Sequence, residues 1–392
     1  MKKLSFLSAM LTVLFVLNSC DARSQGRTTE RRVDPRPTTN TTTANSTKIQ
    51  VALLLDTSNS MDGLIDQAKS RLWDIVNTLT TLKYKGVTPN IEISLYEYGN
   101  DGLSKAKNYI RQVTPMTSDL DLLSEKLFTL RTNGGLEYCG AVIQRAVKDI
   151  DWGTKASDMK LIYIAGNEEF NQGGVSYKEA ISGALSKDIY VNTIYCGNRN
   201  MGIRELWQDG ATRGKGKYFN IDSDAKVRYI VTPYDIRIDE CNTLLNSTYV
   251  GYGTLGYEKK VNQAMQDANA LSISSSNKVS RAVSKSQEVY KNESWDLVDK
   301  YSSDKEAVKN LKESEIPQEY KGKSKAEIEV LIKEKQTERS KIQSEIAELA
   351  KKRQTYIDAE MKKSDTGADD LGKAINSSII AFSKTKGYEV EK

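Results

Sequence analysis

The sequence predicts a doubly wound, mostly parallel α/β sheet followed by a mainly α-helical C-terminal region with a coiled-coil-like hairpin. Three observations carry this. Residues 49–55 are an apolar run broken only by Gln50, as in a strand buried on both faces of a parallel sheet. Strand-like segments then alternate with stretches of helical apolar spacing as far as residue 221. Beyond Tyr257 the chain is charged, and Ile328, Ile332, Ile342, Ile346, Leu349 and Tyr356 fall on steps of three and four.

The chain opens with Lys2 and Lys3, a short apolar stretch over residues 4–16, and then Leu17-Asn18-Ser19-Cys20. This resembles a bacterial lipoprotein signal, although Asn18 departs from the usual pattern. The resemblance implies that residues 1–19 are removed and that Cys20 is lipidated. The apolar stretch is too short to span a bilayer. Residues 20–48 read as a disordered tether, because Arg36-Pro37-Thr38-Thr39-Asn40-Thr41-Thr42-Thr43 has almost nothing to bury. A coil of that length reaches roughly 30 Å.

Residues 49–250 form the predicted α/β domain. After the first strand, Leu64, Ile65, Ala68, Leu72, Ile75, Val76 and Leu79 mark a helix over 61–82. Strands follow at 91–98 and 109–113, helices at 120–130 and 139–150, and a buried strand at 161–165. A helix at 177–186, strands at 191–195 and 217–221, and a helix at 235–246 complete it. In such sheets ligands bind at the carboxyl ends of the strands.

Composition narrows the chemistry there. The 392 residues include no histidine, which excludes Ser-His-Asp and Cys-His catalysis and every His-ligated metal. The four cysteines form no CxxC pair. With 57 basic and 52 acidic residues the net charge is +5, too balanced for a nucleic-acid protein. Hard oxygen ligands remain, and these suit magnesium, calcium or manganese. Asp56-Thr57-Ser58-Asn59-Ser60 follows the first strand directly. A tight turn there would aim the Asp56 carboxylate and the Ser58 and Ser60 hydroxyls at one point. The plainer reading is a polar turn that caps the next helix.

This DxSxS element, in its strand-to-helix setting, resembles the metal-ion-dependent adhesion site of von Willebrand factor type A domains. The strings Tyr96-Glu97-Tyr98-Gly99-Asn100, Gly135-Leu136-Glu137-Tyr138-Cys139-Gly140 and Ile164-Ala165-Gly166-Asn167-Glu168-Glu169-Phe170 are similar to a bacterial branch of that superfamily. The resemblance implies a divalent cation, Mg²⁺ foremost, with Mn²⁺ or Ca²⁺ as alternatives. It also implies a protein partner that offers an acidic residue, and a binding rather than an enzymatic role. Two elements depart from the family pattern. Leu136 stands where a threonine is usual, so either Thr132 or Glu137 supplies that oxygen, or the Gly-Gly is only a turn. Asn167 stands where an aspartate is usual, which weakens cation affinity until a partner adds a carboxylate. Glu168 either compensates or is solvated surface. Asp56, placed in a surface loop, is expected to tolerate replacement without loss of the fold.

The helix over 235–246 resembles the last helix of the type A fold, with Ile236, Ile238, Cys241, Leu244 and Leu245 able to pack on the sheet. Residues 251–256 read as a hinge, and 251–392 as a separate helical unit in which the long helix either folds into an intramolecular hairpin, with 375–382 as its partner, or forms a coiled coil with another chain. Lys335, Arg339 and Arg353 interrupt the apolar seam of that helix. Cys139 and Cys196 are either a disulfide or, with Cys241, buried thiols. The sequence thus reads as a lipid-anchored module of the bacterial cell envelope, periplasm-facing or on the surface, that binds protein through a cation. The competing reading is an envelope scaffold with a lost metal site that recognises partners through its helical arm.

Overall fold

The structure, a computed structural model, describes residues 47–363 and 370–391. The expected signal over 1–19, the tether up to residue 46 and Cys20 lie outside the described residues. The elements run β1 (Lys48–Asp56), α1 (Asp62–Thr80), β2 (Leu82–Tyr84), β3 (Asn90–Tyr98), β4 (Ile110–Thr117), α2 (Leu120–Thr129), α3 (Cys139–Asp149) and β5 (Met159–Gly166). Then come α4 (Tyr177–Ser186), β6 (Ile189–Cys196), α5 (Arg199–Arg204), α6 (Trp207–Arg213) and β7 (Lys215–Ile221). The helical stretch is α7 (Asp235–Ser247), α8 (Gly256–Ile273), α9 (Ser275–Ser286), α10 (Leu297–Ser303), α11 (Ala307–Asn310) and α12 (Lys325–Lys363). Helix α13 (Leu371–Thr385) and β8 (Tyr388–Val390) close the chain.

Six strands form one sheet in the order β4-β3-β1-β5-β6-β7. Only the β3–β4 pairing is antiparallel. The alternation within β1 assigns its two faces. Ile49, Val51, Leu53 and Leu55 point into a core with Leu64, Leu72, Trp73 and Val76 of α1. Ala52 and Leu54 point the other way, into a core with Val142 and Ala146 of α3 and Ala180 and Ile181 of α4. A strand flanked by helices on both faces favours apolar side chains throughout, and the one buried polar residue of the run 49–55, Gln50, is satisfied by Glu92, Asp151 O and Gly153 N.

The sheet domain does not end where the sequence suggested. Helix α7 packs on α9 and α12, and Ile236 and Leu244 are exposed. The helix that lies on the sheet beside α1, over β6 and β7, is α13. Ala374, Ile375 and Ile379 join the α1-side core, Ser378 Oγ donates to Asn192 Oδ1 at 2.8 Å, and Phe382 packs on Tyr190 with ring centroids 4.2 Å apart. Strand β8 pairs antiparallel with β2, and Lys386 pairs with Asp188 at 2.6 Å. The α/β domain is therefore discontinuous: it runs to β7, is interrupted by residues 222–370, and is completed by α13 and β8.

Three further expectations for this region are corrected. The described residues form one compact unit, not a domain and a detached arm. The stretch 251–256 is pinned rather than hinged: Tyr252 N donates to Trp295 O at 2.8 Å and Gly253 N to Glu315 O at 3.1 Å. Helix α12 runs unbroken for 39 residues against α7, α9 and α10, and the expected hairpin partner, in α13, lies on α1 instead. The polar seam residues explain the mistake. Arg339 is buried with Asp296 and Asp299, both at 2.6 Å, and Arg353 is buried with Asp235 at 3.0 Å. They tie α12 into the fold, where a two-stranded coil would need apolar contacts.

Candidate functional site at the strand ends

Parallel strands β1 and β5 end side by side, and β3 ends on the other flank of β1. Their C-terminal loops meet. Asp56 is the last residue of β1 and is fully buried, and its Oδ1 accepts from Ser58 N at 2.7 Å. That bond forms the tight turn that aims Ser58 and Ser60 back over the strand end, their hydroxyls 3.5 Å apart. Asn167, just beyond β5, donates through Nδ2 to Ser60 Oγ at 3.1 Å. Glu137, from the loop before α3, brings its carboxyl group against that of Asp56 and against Ser58. Asp56, Ser58, Ser60, Glu137 and Asn167 thus form one connected group.

The group is electrostatically unfinished. Asp56 Oδ2, Glu137 Oε2 and Asn167 Oδ1 are buried oxygens without a hydrogen-bond donor. One proton between two facing carboxyl groups makes one hydrogen bond, and as two carboxylates they only repel. Burial pushes the Asp56 carboxyl up to about 6. Burial, with the Asp56 charge beside it, pushes Glu137 up to about 10. The exposed Glu168 adds repulsion to both. A buried acid pair with a third unsatisfied oxygen is costly unless a cation completes it. The donor set fits a hard divalent ion: carboxylate, hydroxyl and amide oxygens, with no sulfur or nitrogen. Among the described residues no cluster of three or more acidic or thiol ligands occurs, so the hydroxyls and the amide would be needed as ligands.

No protein-family model and no curated protein matches the chain. Solved structures are similar at low identity. One is an aerotolerance-related membrane protein from Bacteroides fragilis, with 18% identity and a TM-score of 0.32 over 45% of this chain and 93% of that one. Another is the VWA domain of SpRpn10, with 13% identity and a TM-score of 0.31 over 44% of this chain and 87% of that one. A third is proximal thread matrix protein 1 from the mussel byssus with a zinc-occupied MIDAS motif, with 12% identity and a TM-score of 0.34 over 45% of this chain. The chain spans 41% of the mussel protein. What decides the fold is internal to this chain. The sheet order has one antiparallel edge, and the DxSxS turn ends the central strand β1 with the β5 loop beside it. The α/β part thus has the mostly parallel, doubly wound fold, with a DxSxS turn at a central strand end, that the resemblance to von Willebrand factor type A domains implies.

Within this α/β domain the structure sorts the sequence-predicted residues. Asp56, Ser58, Ser60 and Asn167 come together, and Glu137 joins them. Thr132 does not: its hydroxyl donates to the Asp62 carboxylate at the start of α1. Glu168 stays on the surface, bonded to Gln172 at 3.0 Å. Asp56 is buried rather than in a surface loop. Cys139, Cys196 and Cys241 are free thiols. Cys139 lies in the core of the α3 face and Cys196 in the core of the α1 face, so the sheet itself separates them.

The glycines around the site escaped the sequence reading. A Cβ on Gly99, at φ +78°, would lie 2.7 Å from Asp56 Oδ1 and 2.8 Å from Glu137 Cγ. One on Gly166 would lie 2.5 Å from the Tyr98 hydroxyl and 3.1 Å from Asp56 Oδ2. Both strings had been read as family resemblance. Their physical content is a cradle that lets two loops close over the carboxylates. Tyr98, whose hydroxyl donates to Ala165 O at 2.9 Å, forms the floor.

Proposed function

We propose that this chain is a cation-dependent protein-binding module held at a bacterial cell envelope by a lipid on Cys20. Asp56, Ser58, Ser60, Glu137 and Asn167 would hold the cation, Mg²⁺ foremost, which would supply a Lewis-acidic position for an oxygen ligand of the partner. The observation that carries this reading is the set of three buried oxygens without donors at the carboxyl ends of the parallel strands. Asp56 and Glu137 are sealed from solvent, while Ser60 and Asn167 form the open edge. That arrangement supports holding an ion and presenting one side of it, and it is our reason for reading the site as binding rather than catalytic. With Asn167 in place of an acid, Asp56 and Glu137 are the group's two carboxylates, which leaves a divalent ion an open position for an oxygen ligand from the partner. Cation and partner then raise each other's affinity by the same factor.

The envelope placement rests on the Lys2-to-Cys20 segment, and no helix among the described residues is long and apolar enough to cross a membrane. The test is capture of partners from envelope extract by wild type and Asp56→Asn, with Mg²⁺ and with chelator. Capture lost with chelator and with Asp56→Asn supports the site. Capture indifferent to both moves recognition to the helical region, and the reading fails.

A further inference from the structure

Helix α8 is inside out. Its inner face, against α9 and α2, is polar. Gln263, Gln266 and Asp267 are buried there, with Asp267 paired to Arg281 at 2.6 Å and Lys285 at 3.0 Å. Its outer face is apolar. Tyr257 is 84% exposed, Val261 47%, Met265 55% and Leu271 51%, with Ala264 and Ala268 exposed between them. These residues lie on one side of an 18-residue helix, in a stripe roughly 21 Å long from Tyr257 to Leu271. An apolar stripe left in water on a helix whose inner face is polar marks an interaction surface.

We propose that a second copy of this chain covers it, helix α8 against helix α8 about a two-fold axis. The stripe is complementary to itself. An antiparallel pair centred between Ala264 and Met265 sets Met265 opposite Ala264 and Val261 opposite Ala268, a large residue against a small one each time. The same register brings Tyr257 of the second copy beside residues 271–273. There the surface opens into a pocket of about 400 Å³ whose walls include Ile65, Phe128, Leu130 and Ile273. A phenol ring fits such walls, with its hydroxyl directed to the carboxylates of Asp62 and Asp66, which also line the pocket. Glu258, exposed next to Tyr257, then faces the exposed Arg131 at the same pocket. Shape and charge match in both directions at once, as an isologous interface requires.

The test is sedimentation equilibrium of the full chain carrying Cys20→Ser, so that lipid does not drive association. Wild type in this background is expected to dimerise. Tyr257→Ala should weaken the dimer roughly tenfold or more. Ala264→Arg should leave a monomer with an unchanged circular dichroism spectrum, since the residue faces solvent. Glu258→Arg should weaken the dimer, and adding Arg131→Glu should restore it. Ala264→Cys, next to the axis, should crosslink under mild oxidation. A wild type that stays monomeric throughout the micromolar range overturns the proposal, as does a dimer untouched by Ala264→Arg and Tyr257→Ala. A monomer that binds phosphatidylcholine vesicles through Tyr257 would assign the face to lipid and equally overturn it.

Discussion

Two buried clusters of charge in this molecule are built on opposite principles. In the helical region, Arg281 bonds Asp121 at 2.7 Å and Asp267 at 2.6 Å, and Asn242 and Asn246 bond the second Asp267 oxygen and Lys285. Each buried acid there faces a base. The Lys285 and Arg281 charges hold the Asp267 carboxyl well below the usual carboxylate range despite its burial. At the strand ends, Asp56 and Glu137 face each other, and both are pushed up. One chain thus compensates its buried acids fully in one place and leaves them uncompensated in another. The first arrangement holds helices together, and the second leaves room for a positive charge from outside.

The largest effect should come from breaking the compensated cluster. Arg281→Ala leaves Asp121 and Asp267 buried and unpaired, and should cost about 3–5 kcal/mol in urea unfolding. A loss below about 1 kcal/mol would mean that the helical region owes its stability to something else. The cradle of the uncompensated cluster comes next. Gly99→Ala, at positive φ and against Asp56 Oδ1, should cost about 2 kcal/mol and abolish cation binding. A variant that binds normally would show that the loop relaxes freely.

The strand-end cluster is partly legible in the sequence, and the compensated one is not. The strand run and the DxSxS turn are local, so Asp56, Ser58 and Ser60 could be placed by spacing alone. Asn167 was found because it too follows a strand. Glu137 and Thr132 were indistinguishable, because which of them reaches the site depends on how the loop before α3 crosses Gly99 and Gly135. The buried role of Arg339 and Arg353 was invisible for the same cause: their partners lie 43 and 118 residues away. The return of α13 to the sheet was missed because nothing local in residues 371–385 distinguishes a helix on a sheet from one in a hairpin.

The remaining predictions sharpen the contrast. Glu137→Gln removes one of the two facing charges and should stabilise the cation-free protein by about 1 kcal/mol while weakening cation binding, by thermal melts with and without Mg²⁺. Loss of stability instead would mean that Glu137 is already compensated. The pH profile should carry the same sign. The folded Asp56 carboxyl keeps its proton up to about 6 and Glu137 up to about 10, whereas the unfolded chain releases both at ordinary carboxylate values. Cation-free stability should therefore fall as pH rises from about 4 through about 6 and onward, and Glu137→Gln should flatten that slope. A slope that Glu137→Gln leaves unchanged would assign it to other groups, such as Asp299, which burial and Asp296 push up to about 6. The smallest effect is none at all. With Cys139 buried on one core face and Cys196 and Cys241 buried on the other as free thiols, reductant should leave the melting temperature of the protein unchanged, and denatured chain should titrate all three as free.

The most direct test of the central claim is calorimetric titration of Mg²⁺, Mn²⁺ and Ca²⁺ into the chain near neutral pH, repeated in buffers of different ionisation enthalpy. An uncompensated pair that shares a proton must give it up when a cation takes its place. The account predicts one cation per chain, release of about one proton, and loss of both signals in Asp56→Asn. Absence of binding by all three ions, with no change in melting temperature, would contradict it.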